Sequence, residues 1–304
     1  MKEDHPDSPV LATEEEEKKQ TRILILFRFV LVPLVIVGIV VVLILFIGNM
    51  ALKEKSVSDY LYDIRTGSKS ERWQAAYHLS NLLANPKTDY TREARKHLPE
   101  ILLIFNNAKE TDPEIRRYLA LALGRLQDAR AVPALQESLN DPDSQTVIWS
   151  IWALGAIGDR QATPMVIEKL ESTDSGVRTM SAYVLGALED PRAIPPLQAH
   201  LEDSSLDVSW NAAIALSRMH NAAAADLLLK MMNRDYLGGF AQITEQKKEE
   251  LMINTIQASR KLDDATLEQQ IKKVSTSDPN PRVRDAAIKA VESFTAGNAE
   301  IGRE

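Results

Sequence analysis

The sequence repeats itself every 31 residues, and that period constrains the fold more than any other feature. Shifting the chain by 31 aligns Leu123, Leu154, Leu185 and Leu216. The next column reads Gly124, Gly155, Gly186 and Ser217, and the preceding one Ala122, Ala153, Val184 and Ala215. Leu126, Ile157, Leu188 and Met219 follow, then Asp128, Asp159, Asp190 and Asn221, then Pro133, Pro164 and Pro195. A period of this length marks a stacked array. Each unit is too small to bury its apolar face alone and buries it against its neighbours.

Each unit reads as two short helices. Proline stands near the first turn of the first helix, where a missing N–H is harmless, and Leu135 and Leu139 face inward. A polar break follows, with Asp143 and Asp174 placed to cap the second helix. In that helix Val177, Ser181, Val184, Leu185 and Leu188 stand at offsets 0, 4, 7, 8 and 11, which share one face at 3.6 residues per turn. The glycine column lets another helix approach closely. The Asp128, Asp159 and Asp190 row recurs once per unit, so it reads as turn and capping chemistry rather than a cation site.

The segments "DPEIRRYLALALGRLQDARAVPAL" and "DSGVRTMSAYVLGALEDPRAIPPL" resemble the HEAT-repeat family, in particular the short bacterial variety of the phycobilin lyases. The resemblance is strong over residues 112–229 and weaker over 70–83 and 278–294. It lapses at residues 84–97 and 233–250. The expected fold is all-α, a right-handed α-solenoid of about seven HEAT-like helix pairs between Val57 and Phe294, preceded by one transmembrane helix. Residues 233–250 read as an insertion, with Gly238-Gly239 flexible and Tyr236 and Phe240 exposed.

The transmembrane expectation rests on Phe29 to Ile47, 19 positions without a charge. As a helix they cover about 28 Å, close to a hydrocarbon core. Ile23 to Phe27 extend the run, Arg28 can snorkel to the headgroups, and Pro33 and Gly38 are tolerated in lipid. A cleaved signal peptide has a shorter apolar core and a small-residue site, which Gly48-Asn49-Met50-Ala51-Leu52 lacks. The expected organisation is an acidic, disordered tail at 1–22, a bilayer helix at 23–50 and the solenoid at 51–304. Lys18, Lys19, Arg22 and Arg28 against Lys53, Lys55 and Arg65 favour a cytoplasmic N-terminus by a slim margin, with the repeats on the opposite, extracytoplasmic (periplasmic) side.

Chemistry is sparse. The chain has no cysteine, and its five histidines are scattered without an i+3 or i+4 partner, so no metal site is expected. No catalytic or phosphate-binding motif occurs, so no catalytic or cofactor-binding residues are expected. A net charge of −7 argues against nucleic acid, including lesion recognition of the HEAT-like glycosylase kind. Offsets 2 and 6 of the second helices point away from the buried stripe. They carry Arg117, Ile148, Thr179 and Trp210, and Leu121, Trp152, Tyr183 and Ile214. So apolar and aromatic a ladder reads as a groove for another protein, or else as packing between repeats. The expected function is a membrane-anchored scaffold or adaptor, not an enzyme. It contacts a protein through its concave face and the lipid bilayer through residues 23–50. The family resemblance implies an alternative, a bilin lyase-like enzyme or a lyase-related chaperone acting on a partner protein.

Overall fold

The computed structural model describes residue 27 and residues 31–51, 55–84, 89–108 and 112–301, with only the backbone for 46–51 and 294–301. The chain divides into two units, Met1–Lys55 and Ser56–Glu304. In the first, helix α1 (Val32–Ala51) runs for 20 residues. Its side chains from Val32 to Leu45 are all exposed, Leu34 at 68%. Among the described residues no helix is long and apolar enough to cross a membrane, side chains being described only as far as Leu45. The expected tail at 1–22 and the flank at 23–26 lie outside the described residues.

The second unit is a succession of helix pairs. Helix α2 (Val57–Thr66) pairs with α3 (Lys69–Leu82), and α5 (Leu98–Asn107) with α6 (Pro113–Leu126), with α4 (Asp89–Lys96) inserted between the pairs. Then come α7 (Val132–Glu137) with α8 (Ser144–Ile157), α9 (Thr163–Glu168) with α10 (Ser175–Leu188), and α11 (Ile194–Ala199) with α12 (Leu206–Arg218). Helix α13 (Ala225–Met231) pairs with α15 (Glu245–Ser259) around the short α14 (Arg234–Gly238), and α16 (Ala265–Ser277) with α17 (Pro281–Ile301). Seven pairs result among the described residues. The second helices α3, α6, α8, α10, α12, α15 and α17 pack each on the next.

Local chemistry accounts for the boundaries. Asp128, Asp159, Asp190 and Asn221 each accept from the N–H two residues on, opening a 3-10 turn that leads into the first helix. The aspartate row is therefore turn chemistry. Asp143 accepts from the Thr146 N–H and Asp174 from those of Gly176 and Val177, capping α8 and α10. At the other end Gln127, Gly158, Glu189 and His220, again 31 apart, all have positive φ, from 49° to 78°. Only one of the four is glycine, although this conformation strains every other residue type.

The packing follows the repeat. Val177, Ser181, Val184, Leu185 and Leu188 are all buried, and the Ser181 hydroxyl donates to the Val177 carbonyl at 2.9 Å. Leu154 and Leu185 are fully buried, each contributing about 1.5–3 kcal/mol. The glycine column marks where second helices touch. A Cβ on Gly124 would lie 2.7 Å from the Ala153 Cα, and one on Gly186 2.7 Å from the Ala215 Cα. Paired guanidinium–carboxylate hydrogen bonds tie neighbouring turns together, Arg178 to Asp203 at 2.9 Å and Arg234 to Asp278 at 2.8 Å.

The segment at 233–250 corrects an expectation. It is not a flexible loop with exposed rings. Asn233 accepts from the N–H groups of Asp235 and Tyr236 to start α14, and Thr244 caps α15. Tyr236 and Phe240 are half-buried and meet edge to face, 5.1 Å between centroids. Lys247 Nζ reaches back to Asp207 at 2.9 Å.

Candidate functional site

The second helices present one edge to solvent, and the eight expected residues are distributed unevenly along it. Arg117 donates twice to Asp143, at 2.6 and 2.5 Å, and is only part-exposed. Those bonds hold the Asp143 carboxyl below the usual carboxylate range and raise Arg117 above its ordinary value. Arg117 is thus tied to the cap of the next second helix. The Thr179 hydroxyl donates to the Ser175 carbonyl at 2.7 Å. Leu121, Ile148, Trp152 and Ile214 are half-buried, Trp152 with its ring edge beside Gly124. Tyr183 is 44% exposed.

Trp210 is a correction: it is 2% exposed and cannot offer its ring to a partner. Phe240 of the out-of-register segment lies edge to face on it, 5.8 Å between centroids. The indole Nε1 is buried without a hydrogen-bond partner. Its place in the 31-residue register makes it equivalent to the part-exposed Arg117, Ile148 and Thr179. The register carries no information about a segment that departs from it.

Other residues on the same edge were not anticipated. At 100° per residue, offsets 2, 6, 10 and 3 fall at about 200°, 240°, 280° and 300° around the helix, and the glycines at about 180°. Stacking at the glycines turns the open face toward offsets 10 and 3. Offset 3 carries Tyr118, Trp149, Met180 and Asn211, and offset 10 carries Arg125, Ala156, Ala187 and Arg218. Trp73 and Tyr77 on α3 join Tyr118, at 6.4 and 5.3 Å between ring centroids, and Trp149 meets Trp152 at 6.4 Å. The glycine column could have indicated this rotation in the sequence.

Beyond Tyr183 the edge becomes polar. A cleft of about 420 Å³ is lined by Tyr183, Asn211, Ile214, Arg218, Asn254, Gln257, Ala258 and Lys261. The Arg218 guanidinium lies over the Tyr183 ring, 5.7 Å from its centroid. Asn211 donates to the Asp207 carbonyl at 2.7 Å. Among the described residues no group of three or more metal-ligating side chains occurs.

The comparisons with known proteins agree with this architecture. A family model described as HEAT repeats matches residues 101–181 and 163–238. No curated protein matches the chain. Among solved structures, the complex of CpcE and CpcF of phycocyanin lyase from a Nostoc species is similar at 18% identity with a TM-score of 0.52, over 79% of this chain and 95% of that one. YibA from Escherichia coli is similar at 15% identity with a TM-score of 0.50, over 82% and 96% respectively. At such identities the likeness concerns the fold.

Proposed function

We propose that this chain, whose residues 101–238 are HEAT repeats, is a membrane-tethered adaptor holding a protein partner on the open edge of its second helices. The observation that carries the reading is the aromatic row across successive helices: Trp73 and Tyr77 on α3, Tyr118 on α6, Trp149 and Trp152 on α8, Tyr183 on α10. All six are part-exposed or exposed. Large rings left half in water gain little for the isolated chain, and they are the side chains that dominate protein interfaces.

The tether has two supports. Residues 29–47 carry no charge, and the described apolar side chains of α1, from Val32 to Leu45, are exposed. As a helix, that uncharged run of 19 residues covers about 28 Å, close to a hydrocarbon core. The basic residues before the apolar run favour an N-terminus on the cytoplasmic side and the repeats across the membrane.

Photo-cross-linking in native membranes tests the adaptor. Benzoyl-phenylalanine in place of Trp152 or Tyr183 should give discrete protein adducts, whereas at Glu168, exposed on a first helix, it should give none. Equal adducts from all three positions would sink the reading. Release of the full chain by alkaline carbonate would remove the tether. A lyase-like role has only the shared fold behind it, and a spectral shift of an added linear tetrapyrrole would move the assignment there.

A further inference from the structure

Resting on the adaptor reading, we propose that the cleft between α10, α12 and α15 takes an extended, acidic segment of the partner. Its lining contains no carboxylate and two cations, Arg218 and Lys261, in a chain whose net charge is −7. The acids one turn before the cleft are already engaged. Asp207 accepts from Lys247 Nζ at 2.9 and 3.3 Å, and Glu250 accepts from the Gln246 amide at 3.1 Å. Asp207 is neutralised by Lys247, while Glu250 keeps its charge outside the lining. Within the cleft itself the two cations, Arg218 and Lys261, therefore favour negative charge.

The amides select for an open main chain. Asn211, Asn254 and Gln257 each pair a donor with an acceptor, the combination that matches a peptide N–H and C=O. Only an extended segment presents both unpaired, because a helix has satisfied its own. Ile214 and Ala258 give the lining its apolar part, and Tyr183 under Arg218 adds a flat wall. Neighbouring helix axes lie 8–10 Å apart, so three helices span about 20 Å, the length of about six extended residues. A nucleic acid presents closely spaced phosphates and is held by a stripe of cations, whereas this lining supplies two.

The cleft is anchored independently of any ligand. Ser217, adjacent to Arg218, donates to the carbonyl of Ala258 at 2.6 Å and fixes α12 against α15. The cations and amides of the two helices therefore keep their spacing when the cleft is empty.

The test uses the full chain in detergent micelles and two fluorescein-labelled octapeptides, one alternating Glu with Thr, the other Lys with Thr. Fluorescence anisotropy should show the Glu/Thr peptide binding at least tenfold tighter. Arg218→Glu combined with Lys261→Glu should invert that order while helical ellipticity stays unchanged. Should the double variant lose ellipticity, Lys261→Glu alone, at an exposed position, should weaken the Glu/Thr peptide about fivefold. Asn254→Ala with Gln257→Ala should weaken it several-fold without inversion. Equal binding of the two peptides, or charge reversal without effect on their order, would overturn the proposal. Cross-linked adducts at Tyr183 together with no acidic preference would overturn this inference alone; absence of adducts would overturn the adaptor reading.

Discussion

The hydroxyl of Ser217 donates to the main-chain carbonyl of Ala258 across 2.6 Å, at the one position of the Gly124–Gly155–Gly186 column that is not glycine. In the regular repeats the glycine lets the next second helix approach on bare backbone. At Ser217 the neighbour is α15, which follows the out-of-register segment, and a buried hydrogen bond takes the place of that approach.

This contrast sets an order of stabilities. Ser217→Ala loses one buried hydrogen bond, while Lys261 N–H still donates to Ala258, so the cost should be about 1 kcal/mol. Gly186→Ala brings a methyl 2.7 Å from the Ala215 Cα, which is backbone and cannot rotate away, and should cost about 1–3 kcal/mol. Urea unfolding of the two variants checks this. A more damaging Ser217→Ala would contradict the account.

The left-handed column offers stabilisation. Glu189 holds φ 49° with a side chain that gains nothing from it, so Glu189→Gly should raise stability by up to about 1 kcal/mol. Gly158→Ala should lower it by about 1 kcal/mol through backbone strain alone, since a Cβ there meets nothing within 4 Å. Thermal midpoints moving in opposite directions are the expected result.

Trp210 and Tyr183 should separate packing from recognition. Trp210→Ala empties a buried site and should cost about 3–5 kcal/mol. Tyr183→Ala, at a residue 44% exposed, should leave the thermal midpoint within a degree or two and weaken cross-linking to a partner. Equal midpoints for the two variants would contradict the described burial.

Acid should destabilise the repeats. Hydrogen bonds from Arg117, Arg192 and Arg178 hold Asp143, Asp190 and Asp203 below the usual carboxylate range. Unfolded, each titrates near about 3.9. With the folded values lower, the contribution is complete above the unfolded value and disappears as the pH falls below about 4 toward the folded ones. The thermal midpoint should be level from about pH 7 to 5 and fall below about 4. Asp203→Asn should lower it at pH 7, because Arg178 loses its charged partner, and shrink the acid fall. An unchanged acid fall in that variant would show that the pair contributes nothing.

The residues alone determined the helix pairs, the Val177–Ser181–Val184–Leu185–Leu188 stripe and the capping aspartates. These depend on contacts within a repeat or with the next one, and the residues that make them recur in register. The αL residues Gln127, Glu189 and His220 were not legible, because the chain reversal imposes that conformation on side chains with no preference for it. Tertiary structure alone decided which surface stays open. Phe240 closes over Trp210, and Asn254, Gln257 and Lys261 come beside Arg218, only once the segment between α13 and α15 has folded back. A 31-residue period encodes what each repeat does to its neighbour. The destination of a segment outside that period is set by long-range burial, which no local pattern carries.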